Sequence, residues 1–315
     1  MADAFVLGGV RTPFARYGSS LSHIRADELL GMTMKGACER VGVGLDQVED
    51  IVAGCVNPAH EGMGDVARWA ALAAGFPDSV AGATINRFCG SSVSATINVA
   101  HAIKAGDLGV GIACGVESMS RSGWAYMKGD APFAPRGPVI LLDTMWAGAG
   151  GPPNPTLLAR NAYIGMIETA QNVADRYGLT REEIDAFCLR SQQHAKRARD
   201  SGRLAKEILP VEIAATKKTP ARLVEHDEFI RDDTTAERLA ALPAQSGTTQ
   251  MTAGNSSPLT DGASAIVIAS EGKAAELGIT PLARVVSSAV YALDPLIMGL
   301  APAWAIPLAL KRAGL

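Results

Sequence analysis

Of the five cysteines in this chain, at positions 38, 55, 89, 114 and 188, Cys89 has the setting of a nucleophile. It lies in Asn86-Arg87-Phe88-Cys89-Gly90-Ser91-Ser92, after the apolar run Ala83–Phe88 and before the helix-like run Val93–Ala105. A strand that breaks at a cysteine, then Gly-Ser-Ser, then a helix, sets a sulfur at the carboxyl edge of a sheet, where open α/β sheets bind their ligands. The backbone N–H groups and the positive dipole end of the helix favour a thiolate there, and the thiolate is the species that attacks. The other four cysteines read as small buried hydrophobes. Cys38 falls in a helical pattern, Cys55 and Cys114 end apolar strands, and Cys188 lies on the apolar face of a later helix. No Cys-x-x-Cys pair and no His/Cys ligand spacing occurs, which predicts neither a metal site nor a disulfide framework and suits a reducing, cytoplasmic setting.

The elements that must hold Cys89 alternate at βαβ spacing. Strands are predicted over Ala4–Gly8, Ile51–Val56, Ala83–Phe88 and Gly109–Cys114, with helices over Ala26–Val41, Asp65–Ala74 and Val93–Ala105. That order predicts an α/β fold with a largely parallel sheet covered on both faces. From Arg121 to Pro155 the chain turns Gly/Pro-rich, including Gly148–Pro153, and without a GxGxxG or Walker pattern these glycines predict loop. Thr180-Arg181-Glu182-Glu183 is a capping box. It opens a helix whose one face carries Ile184, Phe187, Cys188 and Ser191. Residues 121–248 therefore read as an insertion. The α/β layer resumes at Thr252–Gly262 and the apolar strand Ala263–Ala269. A strand over Ala283–Val290 and a helix ending Lys311-Arg312-Ala313-Gly314 then repeat the opening βα unit.

A net charge of −3 with 48% apolar residues argues against a nucleic-acid binder and provides ample core. Between Arg181 and Arg222 ten Lys/Arg face six Asp/Glu, which fits either a solvated helix face or a site for an anionic ligand. The most apolar run, Leu296–Leu310, is broken by Gly299, Pro302 and Pro307 and is too short to span a bilayer.

Five segments in order resemble the thiolase family: Arg11-Thr12-Pro13-Phe14, the Asn86–Ser92 stretch, Gly115-Val116-Glu117-Ser118-Met119-Ser120, Glu182–Gln193, and Ala253–Ala263. The resemblance implies the layered α-β-α-β-α thiolase fold. Residues 1–270 would be the N-terminal half, with a CoA-binding loop domain inserted at about 121–248, and 271–315 the start of the second half. It implies acyl transfer between coenzyme A and a 3-ketoacyl-CoA or acetyl-CoA through an acyl-cysteine, with Cys89 as nucleophile and its own N–H as one oxyanion donor. Carried over by motif, Ser257 would contact the pantetheine of CoA, with Ala253 and Leu259 beside it. Met166 and Met298 would line the acyl pocket, and the basic helix around Arg190 would face CoA phosphates. No resident cofactor is implied, since coenzyme A enters as substrate, and a homodimer or tetramer is expected.

Three family motifs do not occur here: Asn-Glu-Ala-Phe, a Gly-His-Pro histidine and a Cys-x-Gly cysteine. A Claisen step needs a base at the α-carbon and an oxyanion hole, general-base catalysis alone being worth a factor of ~10²–10⁴. Carbon–carbon chemistry is therefore not expected of this chain alone. The expectation is an acylable Cys89 whose full reaction depends on a second chain supplying the missing groups. The alternative is a non-catalytic acyl-CoA-binding or scaffold subunit. A half-built second sheet would also leave an apolar face, to which Leu308 adds, with Pro307 tolerated near the first helical turn, so the isolated chain is expected to aggregate or need a partner.

Overall fold

The computed structural model describes residues 3–58, 60–126, 138, 141–145, 154–160, 164–215, 217 and 219–315. The glycine-rich run 148–153 lies outside the described residues. The chain divides into two compact units. One comprises Met1–Pro152, Glu207–Glu228 and Leu259–Val286, and the other Pro153–Lys206, Phe229–Pro258 and Ser287–Leu315.

The first unit is built on a seven-stranded sheet: β1 (Ala4–Arg11), β2 (Ala15–Arg16), β3 (Asp50–Gly54), β4 (Ala81–Ile85), β5 (Val110–Ser118), β6 (Thr260–Ser270) and β7 (Ala283–Arg284). The strands run in the order β7-β1-β6-β5-β3-β4, and β2 pairs with the start of β6. Helices α1 (Ala26–Val41) and α2 (Val66–Ala73) contribute to the larger of two apolar clusters, and α3 (Ser91–Ala105) to the other. Side chains alternate across the strands, as a two-residue period requires. Ile51, Ala53, Ile112, Cys114, Ala265 and Val267 join Leu29, Leu30, Met34, Val66 and Ala70 on one side. Val52, Ala113 and Ile268 join Val99, Ala100 and Ile103 on the other. Each fully buried Ile, Leu or Val adds roughly 1.5–3 kcal/mol. α1 forms where its spacing predicts. Ala26, Leu29, Leu30, Thr33, Met34, Ala37 and Cys38 are its buried stripe, Asp27 and Glu28 sit in its first turn, and Gly42 ends it at φ 76°.

Several expectations are corrected. The sheet is mixed, not largely parallel: β3 runs parallel to β4 and β5, but β6 is antiparallel to both β1 and β5. β6 follows a long excursion, so no short βαβ crossover dictates its direction. The strand before Cys89 stops at Ile85, because the Asn86 side chain takes the Phe88 N–H at 2.9 Å and Phe88 adopts φ 48°. Of the predicted strand Ala283–Val290 only Ala283 and Arg284 form a strand, paired with β1, and the Val285 N–H adds one bond to the Ala4 carbonyl at 2.9 Å. Beyond them Lys104 Nζ takes the Val285 and Val286 carbonyls.

The second unit carries α4 (Met166–Tyr177), α5 (Arg181–Asp200), a 3₁₀ turn at Pro295–Leu300 and α6 (Pro302–Ala313). Thr169 Oγ1 and Asn172 Nδ2 of α4 both donate to the Leu296 carbonyl, each at 3.0 Å. The capping box forms, with Glu183 N–H donating to Thr180 Oγ1 and Thr180 N–H to Glu183 Oε2. The predicted apolar face of α5 is corrected. Phe187 is 62% exposed and Ser191 is exposed, while Asp185 is buried, accepting from Arg181 Nε at 2.6 Å and Asn255 Nδ2 at 3.1 Å. A polar clasp to the 252–255 turn there replaces apolar burial. Pro307 lies inside α6 rather than in its first turn, so the helix forgoes one backbone bond. α6 ends at Gly314 with φ 77°, as α1 ends at Gly42. Among the described residues no helix is long and apolar enough to cross a membrane.

Candidate active site

The turn that carries Cys89 is held from both ends. On the helix side, Ser91 Oγ accepts the Arg87 N–H at 2.8 Å and donates to the Phe88 carbonyl at 2.6 Å, while Arg87 Nη1 donates to Ser94 Oγ at 2.9 Å. On the strand side, Asn86 Oδ1 accepts the Phe88 N–H, and Asn86 Nδ2 donates to the Val56 carbonyl at 2.8 Å. Phe88 is thereby kept in the left-handed region, a conformation that costs a non-glycine residue about 1–2 kcal/mol. Cys89 is exposed, and its backbone N–H has no acceptor among the described residues. A thiol and an uncommitted N–H thus sit together two residues before α3 begins.

α3 reaches that position because the sheet beneath its first turn lacks side chains. Gly54 and Gly115 are paired neighbours in β3 and β5. A Cβ on Gly54 would sit 2.5 Å from the Ser92 N atom, and one on Gly115 would collide with Ser92 Oγ. Two glycines therefore let the helix N-terminus rest on backbone.

The Gly115–Ser120 segment and the Leu259–Ala263 end of the other matched segment meet in the same unit. The Asp261 carboxylate accepts the Ser120 N–H at 2.9 Å and its hydroxyl at 2.5 Å, and Ser120 Oγ accepts the Gly18 N–H at 2.7 Å. Burial pushes the Asp261 carboxyl up, and the Ser120 hydrogen bonds pull against that. Glu117 accepts the Val56 and Asn57 N–H groups at 2.8 and 3.0 Å. Burial raises its carboxyl too, against the pull of those two amides. Arg11, from the first matched segment, forms a bidentate pair with Asp227 at 2.7 and 2.9 Å, and Asp227 Oδ1 also accepts the Phe14 N–H at 2.8 Å.

Burial separates the remaining cysteines from Cys89. It pushes the Cys38 and Cys55 thiols up to about 12, raises Cys114 further, and raises Cys188. Cys114 is mid-strand, its Sγ 3.7 Å from Met34 Sδ, a packing role.

The other predicted residues are distributed as follows. Leu259 lies in the unit that holds Cys89, 44% exposed, its carbonyl accepting the Tyr17 N–H. Ala253 and Ser257 are exposed on the turn of the second unit that Asn255 ties to α5. Met166 opens α4 and Met298 sits in the 3₁₀ turn that α4 holds by its Leu296 carbonyl, so these two belong to one packed pair. Arg190 is exposed on α5, its guanidinium 5.0 Å from the Phe187 ring centre. Much of the local positive charge is paired, Arg181 with Asp185, Lys196 with Asp200, and Arg199 with Asp200 and Asp232.

Sequence reading passed over Asn86, Glu117 and Asp261 as working residues. The signal for two of them was present, since a carboxylate ending or opening a strongly apolar strand needs partners.

The family described as thiolase, N-terminal domain, matches residues 4–272. A 3-oxoadipyl-CoA/3-oxo-5,6-dehydrosuberyl-CoA thiolase of Escherichia coli strain K12 is 42% identical, with 100% of this chain and 78% of the relative covered. The solved acetyl-CoA acetyltransferase of Bacillus anthracis has a TM-score of 0.88 at 36% identity, and human mitochondrial 3-ketoacyl-CoA thiolase 0.89 at 34%. Each covers 100% of this chain and 77% of the solved one.

Proposed function

The chain belongs to the thiolase family, and from that premise we propose that it moves acyl groups between coenzyme A and a 3-ketoacyl-CoA, with Cys89 as the acyl carrier. The observation that carries the assignment of Cys89 is its turn, an exposed thiol beside an N–H that has no acceptor among the described residues. In the degradative direction the Cys89 sulfur attacks the 3-keto carbon, the bond to the α-carbon breaks, and acetyl-CoA leaves once that carbon takes up a proton. Free CoA then attacks the acyl-cysteine, restoring the thiol and releasing the shortened acyl-CoA. The Cys89 N–H would donate to the oxyanion formed at each attack, a role worth ~10²–10³ in rate where it has been removed elsewhere.

Ser257, Ala253 and Leu259 are proposed to contact the pantetheine arm, Met166 and Met298 the acyl chain, and Arg190 the CoA phosphates. Coenzyme A is a substrate in this scheme, and no resident cofactor is invoked. A homodimer or tetramer working in the cytoplasm belongs to the same proposal, and light scattering of the purified chain tests the assembly.

The E. coli relative's name makes 3-oxoadipyl-CoA the first substrate to try. The chain is incubated with it and free CoA, and acetyl-CoA is followed by chromatography, with acetoacetyl-CoA in parallel. Turnover assigns the whole reaction to this chain. Acylation without turnover assigns it the acyl-cysteine step, with other groups completing the reaction. Neither result would leave an acyl-CoA-binding subunit.

A further inference from the structure

Cys89 is linked to a carboxylate that no part of the acyl-transfer scheme uses. Glu117 closes the apolar run of β5, and both of its oxygens are taken by peptide N–H groups, Val56 on Oε2 and Asn57 on Oε1. Its partners are neutral, so the carboxylate acts through geometry and not through an ion pair. The Val56–Asn57 peptide has its N–H, that of Asn57, on Glu117 Oε1 and offers its carbonyl, that of Val56, to Asn86 Nδ2, and the other end of the Asn86 amide holds the Phe88 N–H. Phe88 is the left-handed residue and Cys89 follows it. The helix side of the turn has its own support from Ser91 and Ser94, but the Phe88 N–H on the strand side is held by Asn86.

We propose that Glu117 is a positioning residue for Cys89, acting through the Val56–Asn57 peptide and the Asn86 side chain to hold the Phe88 turn in the conformation that aims the sulfur. The link itself is a matter of backbone geometry. Only its catalytic consequence rests on Cys89 being the acyl carrier.

Hydrogen exchange on the full chain, read at the Phe88 amide, tests the link. Glu117→Gln replaces one acceptor oxygen by a donor facing an N–H, and it lies 29 residues from Phe88 in sequence. It is expected to speed Phe88 exchange about tenfold, the size of one lost hydrogen bond. Asn86→Ala should do the same, and the double variant should add nothing to the larger single effect, because both act on one chain of contacts. The Ile112 amide, in the buried sheet, should keep its protection in all three. Unchanged Phe88 exchange in Glu117→Gln, effects that multiply in the double variant, or loss of Ile112 protection in step with Phe88 would each overturn the proposal. Should Glu117→Gln fail to fold, Glu117→Asp, which draws the carboxylate back from both N–H groups, is read in its place. Wild-type exchange at Phe88 would then overturn the link.

Acetyl transfer from acetyl-CoA to each variant reads the consequence. It is expected to slow about tenfold at saturating acetyl-CoA, with the half-saturating concentration unchanged. A wild-type chain that takes no acetyl group would defeat the functional reading while the exchange result still decided the positioning role.

Discussion

Among the described residues two non-glycines adopt left-handed backbone, His60 at φ 52° and Phe88 at φ 48°, and the two are stabilised in opposite ways. Next to His60 stands Glu61, whose side chain is only 2% exposed and is paired with Arg121, with His60 Nδ1 at 2.8 Å and with Arg25 at 3.7 Å. Burial pushes the Glu61 carboxyl up, but the Arg121 and His60 contacts outweigh it and hold it at about 2. Around Phe88 the bonds run to neutral amides, carbonyls and hydroxyls, the Arg87 guanidinium itself donating to the Ser94 hydroxyl, and the next side chain is the exposed thiol. A strained turn closed by charges is a clasp, with its functional groups consumed by one another. Strain closed by peptide and amide hydrogen bonds leaves a reactive group unspent. Conformational strain alone therefore does not mark a site, and what is left unpaired beside it does.

The largest way to break the contrast is Cys89→Ala. It is expected to cut acyl transfer by ~10³-fold or more while leaving the melting temperature unchanged, because the side chain is exposed. Removing the main cation from the clasp comes next. Arg121→Ala strands a buried carboxylate and should cost about 3 kcal/mol in chemical denaturation. The same cluster sets a pH dependence. Because the folded carboxyl is held below its ordinary 4.5, the stability Glu61 contributes is fully present above that value and is lost as pH falls toward about 2. Arg121→Ala should flatten that acid limb. Gly115→Ala drives a methyl into Ser92 at the start of α3 and should cost about 1–3 kcal/mol, with slower acylation of Cys89. Smallest are the two left-handed positions themselves. Phe88→Gly should raise stability by up to ~1 kcal/mol, since the ring is 76% exposed and the strain is relieved, yet slow acylation. His60→Gly should lower stability, because the clasp loses a partner.

The parts of this picture that were legible in the sequence are the local ones. The α1 stripe, the Thr180–Glu183 box and the strand–turn–helix around Cys89 are each written within a few turns of chain. Strand direction was not legible, because alternation encodes which side chains are buried and says nothing of which way a strand runs, so β6 could not be told from a parallel neighbour. The support of the site was hidden for a related reason. Val56 meets Asn86 across 30 residues and Glu117 across 61, and no periodic pattern records such a pairing. The end of β4 was misplaced because a single Asn86 side chain outcompetes the strand for the Phe88 N–H.

The central claim, that Cys89 carries the acyl group, is tested most directly by incubating the chain with acetyl-CoA, digesting it, and locating the added acetyl mass by peptide sequencing in a mass spectrometer. The account predicts one acetyl group per chain on the peptide bearing Cys89, removed by free CoA and absent from Cys89→Ala. An unmodified chain, or an acetyl group on Cys38, Cys55, Cys114 or Cys188 instead, would contradict it.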